Sequence, residues 1–244
     1  MVNYSSKRLR AIVTGASSGI GKATALAFAQ SNIEVALIAR STDKLTAVAD
    51  EIQQKTQIKV GVYPLDLAVV DRVSDEIAEI CRSFGPIDIL VNNAGMAYTN
   101  PISKTTLEDW QKILQLNLTS VFQCVRGVLP QMRERGSGTI INVASIAASN
   151  AFPDWGAYSV SKAGIVALSK ALSVEERNNG IRTVTISPGS VNTPIWDTDT
   201  VQADFDRSAM LTPETVAQSI LHAALLPHHA VVEEMIVMPG GGAL

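Results

Sequence analysis

Short apolar runs alternate with longer amphipathic stretches along almost the whole of this 244-residue chain. The runs are Ala11-Ile12-Val13, Val35-Ala36-Leu37-Ile38, Val60-Gly61-Val62-Tyr63, Ile87-Asp88-Ile89-Leu90-Val91, Ile140-Ile141-Asn142-Val143, Thr183-Val184-Thr185-Ile186 and Met235-Ile236-Val237. Their β-branched content favours strands, and each intervening segment is long enough for a helix. A β-α-β series with right-handed crossovers closes into an α/β fold, a doubly wound (Rossmann-type) parallel sheet of seven strands. The strand order expected is 3-2-1-4-5-6-7. Hydrophobic residues make up 46% of the chain, enough to cover a sheet on both faces. No repeat, low-complexity tract or linker interrupts the pattern, so residues 1–244 are read as a single domain. The stretch from Thr193 to Leu211 differs in texture, with Trp196, Asp197, Asp199, Asp204 and Asp206 among polar residues, and reads as a substrate flap.

Charge and cysteine content exclude several classes. A net charge of -3 provides no basic footprint for nucleic acid. Cys81 and Cys124 show neither C-x-x-C nor metal-ligand spacing, and His222, His228 and His229 lie far from carboxylate partners, so no metal site is expected. Met1 to Arg10 is polar and basic, and no stretch of about 18 apolar residues follows. The expectation is a cytoplasmic protein without membrane association.

Polar residues and glycines gather where strands end: Gly15, Arg40, Asp66, Asn92-Asn93-Ala94-Gly95, Ser145 and Ser187-Pro188-Gly189. In an open parallel sheet, ligands bind outside these carboxyl ends. In Thr14-Gly15-Ala16-Ser17-Ser18-Gly19-Ile20-Gly21, Gly15 permits a tight turn, Gly19 lets backbone approach a pyrophosphate, and Gly21 lets the next helix pack closely. The spacing is G-x-x-x-G-x-G instead of G-x-G-x-x-G, so a glycine-rich turn without a ligand stays open. At the end of the second strand, Ala39-Arg40-Ser41 offers a guanidinium where a carboxylate would select the unphosphorylated ribose. Arg40 points to NADP(H), with Ser17 or Ser41 as a further donor to the 2′-phosphate, unless it is a solvated surface arginine. Asp66 either accepts from the adenine amine or caps the following helix.

Tyr158 and Lys162 stand four residues apart in Tyr158-Ser159-Val160-Ser161-Lys162, which on a helix places a lysine beside a phenol. Thr106 to Met132 reads as one long helix with Leu107, Trp110, Leu114, Leu118, Val121 and Val125 on one stripe, and Asn117 falls within it. A buried amide needs partners. Asn117 is either a structural amide tied to backbone or one that positions a water near Lys162.

Taken together, Thr14 to Gly21, Asp66, Asn92-Asn93-Ala94-Gly95, Asn117, Ser145, Tyr158 to Lys162, and Pro188-Gly189 followed by Thr193 resemble the short-chain dehydrogenase/reductase family, in its branch of conventional length. The resemblance covers nearly the whole chain. It implies a catalytic tetrad of Asn117, Ser145, Tyr158 and Lys162. It implies a dinucleotide held by the turn Gly15, Ser17, Ser18, Gly19, Ile20 and Gly21, by Arg40, Ser41 and Asp66, by Asn93, Ala94 and Gly95 near the adenosine, and by Pro188, Gly189 and Thr193 at the nicotinamide. Arg40 matches the family's NADP-preferring pattern.

An ordinary tyrosine ionises near pH 10, so a tyrosinate at neutral pH requires about 4 kcal/mol of help. One positive charge at about 4 Å in an effective dielectric near 20 supplies about that amount, so Lys162, with the cationic nicotinamide of the oxidised cofactor adding to it, is expected to pull the Tyr158 pKa down. Tyr158, at the cofactor as well as the substrate, would then exchange a proton with the substrate oxygen, Ser145 would hydrogen-bond that oxygen, Lys162 would also hold the nicotinamide ribose, and Asn117 would anchor a water. The activity implied is NADP(H)-dependent interconversion of a carbonyl and a secondary alcohol on a small carbonyl, 3-keto or 3-hydroxy compound.

Gly240-Gly241-Gly242 superficially fits the alternative of a 3-oxoacyl-[acyl-carrier-protein] reductase, but the flap aspartates would repel an acidic carrier unless Arg126, Arg133 and Arg135 dock it elsewhere. A non-catalytic NADP-binding regulator or scaffold would have no need of the tetrad. Trp155 and Trp196 either line an apolar pocket or serve as hinge packing. A helix face of Val160, Ala163, Gly164, Ala167, Leu168, Ala171 and Leu172 is ordinary core or, by the resemblance, a subunit interface of a homo-oligomer, tetramer before dimer.

Overall fold

The computed structural model describes residues 8–202 and 206–242. Asp204 and the first seven residues of the polar amino-terminal stretch lie outside the described residues. Among those described, the strands are Arg10–Thr14 (β1), Glu34–Ala39 (β2), Val60–Pro64 (β3), Ile89–Asn92 (β4), Gly138–Val143 (β5), Ile181–Pro188 (β6) and Glu234–Val237 (β7). All pair in parallel in the order β3-β2-β1-β4-β5-β6-β7. The order reverses between β1 and β4, which leaves a crevice beyond their carboxyl ends.

The helices are Gly19–Gln30 (α1), Thr42–Lys55 (α2), Val70–Phe84 (α3), Leu107–Leu114 (α4), Ser120–Arg135 (α5), Gly156–Glu176 (α6) and Pro213–Ala224 (α7). Successive strand side chains point to opposite faces of the sheet, and both faces are covered. Ala11, Val13, Val35, Leu37, Ile89, Val91 and Ile141 bury one face with Phe28 of α1, Leu45 and Ile52 of α2, and Val216 and Ile220 of α7. Ile12, Ala36, Ile38, Leu90 and Ile140 bury the other with Val73 and Ile77 of α3, Cys124 and Val128 of α5, and Leu172 of α6. This two-sided burial is the reason the strand runs look continuously apolar.

The stretch from Thr106 to Met132 is continuous but is not one α-helix. Between α4 and α5, Gln115–Thr119 forms a π-turn in which the Ser120 N–H donates to the Gln115 carbonyl. The extra residue rotates the two halves relative to each other, so a single 3.6-residue stripe fails. Leu107 is 71% exposed, and Ile113 is the buried residue of α4. Turns of this kind gather at functional sites, and this one contains the buried Asn117.

The proposed interface stripe on α6 divides as well. Gly164 packs against Leu118, where a Cβ would lie 2.8 Å from Leu118 Cδ2, and Leu172 enters the core. Val160, Ala163, Ala167 and Ala171 remain exposed, continued by Val174.

Candidate functional site

A cleft of about 1000 Å³ crosses the carboxyl ends of the strands, and every site residue read from the sequence lines it except Gly21 and Asn117, which stand behind its wall. The first turn is shaped by glycine. Gly15 has φ +66° and Gly19 φ +51°, the left-handed region that side chains disfavour. Gly21 serves contact instead: a Cβ there would lie 2.2 Å from the Gly15 carbonyl oxygen. Its role is therefore to seat α1 against the turn as well as near the sheet. Ser18 is the N-cap residue of α1 but its side chain caps nothing, and the first turn carries no acidic residue. The amino end of α1 thus keeps its N–H donors and positive dipole end for an anion.

The neighbouring loop is braced by Thr14, to which the sequence reading gave no role of its own beyond opening the glycine-rich motif. Its hydroxyl donates to the Val91 carbonyl and accepts from the N–H groups of Asn93 and Ala94 at 2.9 and 3.0 Å. Asn93 returns a bond from its side-chain amide to the Thr14 carbonyl at 3.0 Å. The Asn93 carboxamide therefore ties two strand ends together while the residue also lines the cleft.

Arg40 leaves the end of β2 and lines the cleft with Ser41 and Lys44. The Ser41 hydroxyl oxygen accepts from the Lys44 N–H at 3.4 Å as the N-cap of α2, which leaves its O–H to donate. Lys44 was missed, although its position three residues after an N-cap serine puts it on the same helix face. Asp66 closes a turn by accepting from the Ala68 N–H at 3.0 Å, two residues ahead of α3. It caps that turn instead of the helix, and its second oxygen is the one left for a ligand.

At the other end, Ser145 follows β5 and Tyr158 and Lys162 stand on α6. The Ser145 hydroxyl accepts from the Ala147 N–H at 3.1 Å and lies beside the Tyr158 phenol, close enough to pull its pKa down. Lys162 Nζ donates to the Val143 carbonyl at 2.9 Å and lies 5.8 Å from the centre of the Tyr158 ring. Asn117 accepts from the Met96 N–H at 2.8 Å, donates to the Met96 carbonyl at 2.9 Å and donates to the Ser161 hydroxyl at 3.0 Å. These bonds tie the amide to backbone, with Ser161 as a further partner the sequence reading did not single out. Glycine at position 95 leaves room beside the cluster: a Cβ there would lie in tight contact 3.1 Å from Asn117 Oδ1 and in ordinary contact 3.7 Å from Lys162 Nζ.

Burial dominates the electrostatics of the Tyr158–Lys162 pair. It pushes the Tyr158 phenol above its ordinary pKa, and Ser145 pulls the other way without winning. Burial also lowers Lys162 to about 8. The lysine does not draw the tyrosine down in the protein by itself, because its own charge is disfavoured in the same enclosed space. Pro188 and Gly189 end β6, and Thr193 packs over the first turn, its Cγ2 3.1 Å from where a Gly19 Cβ would be.

Residues 10–203 match the model of the short chain dehydrogenase family. An uncharacterized oxidoreductase of Staphylococcus haemolyticus is 34% identical over 229 residues, 94% of this chain and 96% of its own. An L-sorbose reductase from Gluconobacter frateurii, solved with NADPH and L-sorbose, superposes with a TM-score of 0.87 at 32% identity, covering 98% of this chain and 97% of that one. An alcohol dehydrogenase from Thermococcus sibiricus, solved with 5-hydroxy-NADP, gives 0.87 at 27% identity, covering 96% and 97%. The chain belongs to the short-chain dehydrogenase family and is an oxidoreductase enzyme.

Proposed function

We propose that this enzyme uses NADP(H) to interconvert a carbonyl and a secondary alcohol on a small substrate, with Tyr158 as general acid and base. The observation that carries the reading is one cleft with two chemically distinct ends: Arg40 and Lys44 beside the β2 end, and Ser145, Tyr158 and Lys162 beyond β5. Solved relatives with NADP, NADPH or NADP+ support the cofactor, among them a serine dehydrogenase at 28% identity and a TM-score of 0.85. The open amino end of α1 suits a pyrophosphate, and Arg40, with Lys44 and the Ser41 hydroxyl, suits a 2′-phosphate.

When bound, NADPH supplies the hydride that reduces the carbonyl carbon. The residues of the chain manage the oxygen. Burial holds the Tyr158 phenol neutral, the form that donates its proton to the carbonyl oxygen as the alcohol forms. Ser145 orients that phenol and shares its hydrogen bonding with the substrate oxygen. Lys162, fixed on the Val143 carbonyl, brings positive charge to the proton path, and Asn117 braces the Met96 loop against α6. The exposed α6 stripe is the face of a homo-oligomer, in our reading a tetramer, and residues 193–211 form the substrate side of one working unit.

The test is loss of NADPH absorbance against a panel of neutral ketones, aldehydes and keto acids, with NADH at equal concentration. Turnover is expected with NADPH preferred, and Tyr158→Phe is expected to lower kcat by about 100-fold or more while retaining NADPH binding. Near-wild-type turnover by that variant removes Tyr158 from the chemistry.

A further inference from the structure

The wall beside Tyr158 is aromatic. The Trp155 ring lies 5.2 Å from the Tyr158 ring at an interplanar angle of 73°, and Trp196 lies 5.8 Å from Trp155 at 66°. These edge-to-face contacts join residues from two elements: Trp155 is the N-cap residue of α6, and Trp196 lies in the 3₁₀ turn Pro194–Asp197 after β6. Trp196 Nε1 donates to the Val191 carbonyl at 2.8 Å, which fixes its ring. Asp154, just before Trp155, is held at φ +67°, a conformation uncommon outside glycine, and its carbonyl accepts from the Asn100 N–H. Thr200 donates from its hydroxyl to the Ala97 carbonyl at 2.7 Å, and its own carbonyl accepts from the Thr99 N–H. Both tryptophans are thus held by bonds that link the loop after β4 to the segments carrying them.

Charge is distributed unevenly around them. Among the described lining residues, the cations are Arg40, Lys44, Lys112 and Lys162. Arg40 and Lys44 sit at the β2 end. Lys112 lies one turn before Leu116, on the helical stretch that Gln115 ties to the Ala68 carbonyl beyond β3. Lys162 is engaged with the Val143 carbonyl. Asp199 is the charged side chain that lines the cleft from the Trp196 segment, and it is acidic. A carboxylate-bearing substrate would lose hydration here without gaining a counter-ion, whereas an aromatic group would gain a stacking surface.

We infer that the substrate is an uncharged ketone, or the matching secondary alcohol, carrying an apolar planar substituent that packs against Trp155 and Trp196, and that carboxylate-bearing ketones are disfavoured. This rests on the carbonyl–alcohol reading above. In the reductive direction the carbonyl carbon accepts the hydride, its oxygen takes the Tyr158 proton, and NADPH is oxidised to NADP+.

The experiment compares three methyl ketones differing at one end, with NADPH in excess: benzylacetone ends in phenyl, butanone in hydrogen and levulinate in carboxylate. Expected is a kcat/KM for benzylacetone about 10-fold above butanone and at least as far again above levulinate, with the difference mainly in KM. In Trp196→Ala the benzylacetone-to-butanone ratio falls by about 10-fold, and in Trp196→Phe it is largely restored. Levulinate turned over as well as benzylacetone, or an unchanged ratio in both variants, overturns the inference and leaves the oxidoreductase reading intact. If none of the ketones reacts with either NADPH or NADH, saturable quenching of tryptophan fluorescence decides the pocket separately. Quenching by benzylacetone and not by levulinate upholds the inference; equal quenching, or none, overturns it.

Discussion

At the scale of the residue, the site depends on what burial does to Tyr158 and Lys162. Two groups four positions apart invite the assumption that the ammonium ionises the phenol. In the folded chain both are pushed toward neutrality, Tyr158 upward and Lys162 down to about 8, because each charged form loses hydration in the same enclosure. A neutral phenol suits proton donation, and a lysine poised near 8 introduces a pH limit. For carbonyl reduction, kcat/KM is expected to fall as pH rises through about 8, with loss of one proton, as Lys162 gives up its charge. A profile that stays flat well beyond that point removes Lys162 from the rate. The stability linkage has a definite sign too. With its folded pKa depressed from 10.5 to about 8, Lys162 holds fewer protons folded than unfolded between those values, so its contribution to stability improves with rising pH across that window.

Elements matter most where a regular pattern is interrupted. The reading of Thr106 to Met132 as one helix found the right segment but missed the π-turn, since a hydrophobic stripe reports only the average period. That turn is what lets the buried Asn117 carboxamide reach both polar groups of Met96 and the Ser161 hydroxyl at once. The glycine-rich turn shows the reverse case. Gly15, Gly19 and Gly21 could be read directly, because few other residues accept a left-handed backbone or so close an approach. Only the folded structure shows that Gly21 meets the Gly15 carbonyl so closely. Gly21→Ala forces a methyl into that contact and is expected to lower stability by about 1–3 kcal/mol, with weaker NADPH binding, as read by thermal unfolding with and without cofactor. Unchanged unfolding and binding would show that α1 can shift without cost.

For the whole molecule, the exposed residues of α6 are the remaining question. Val160 and Val174 are 46% and 73% exposed, and Ala163, Ala167 and Ala171 lie between them on the same side, with Phe122 of α5 also exposed. Small residues at this spacing allow a second helix to approach closely, in keeping with the proposed homo-oligomer. Ala167→Glu is expected to reduce the sedimenting mass relative to wild type, while the same mass for both proteins argues against this face as the interface.

The sequence alone determined the strand set, its order and which polar residues fall at the strand ends, because side-chain period, β-branching and glycine act locally and right-handed crossovers restrict the order. Tertiary structure decided the rest. The Thr14 brace, the proximity of Lys44 to Arg40, the Trp155–Trp196 wall and the direction of the Tyr158 pKa all depend on which surfaces meet and how much water remains between them. A one-dimensional pattern carries neither distance nor dielectric.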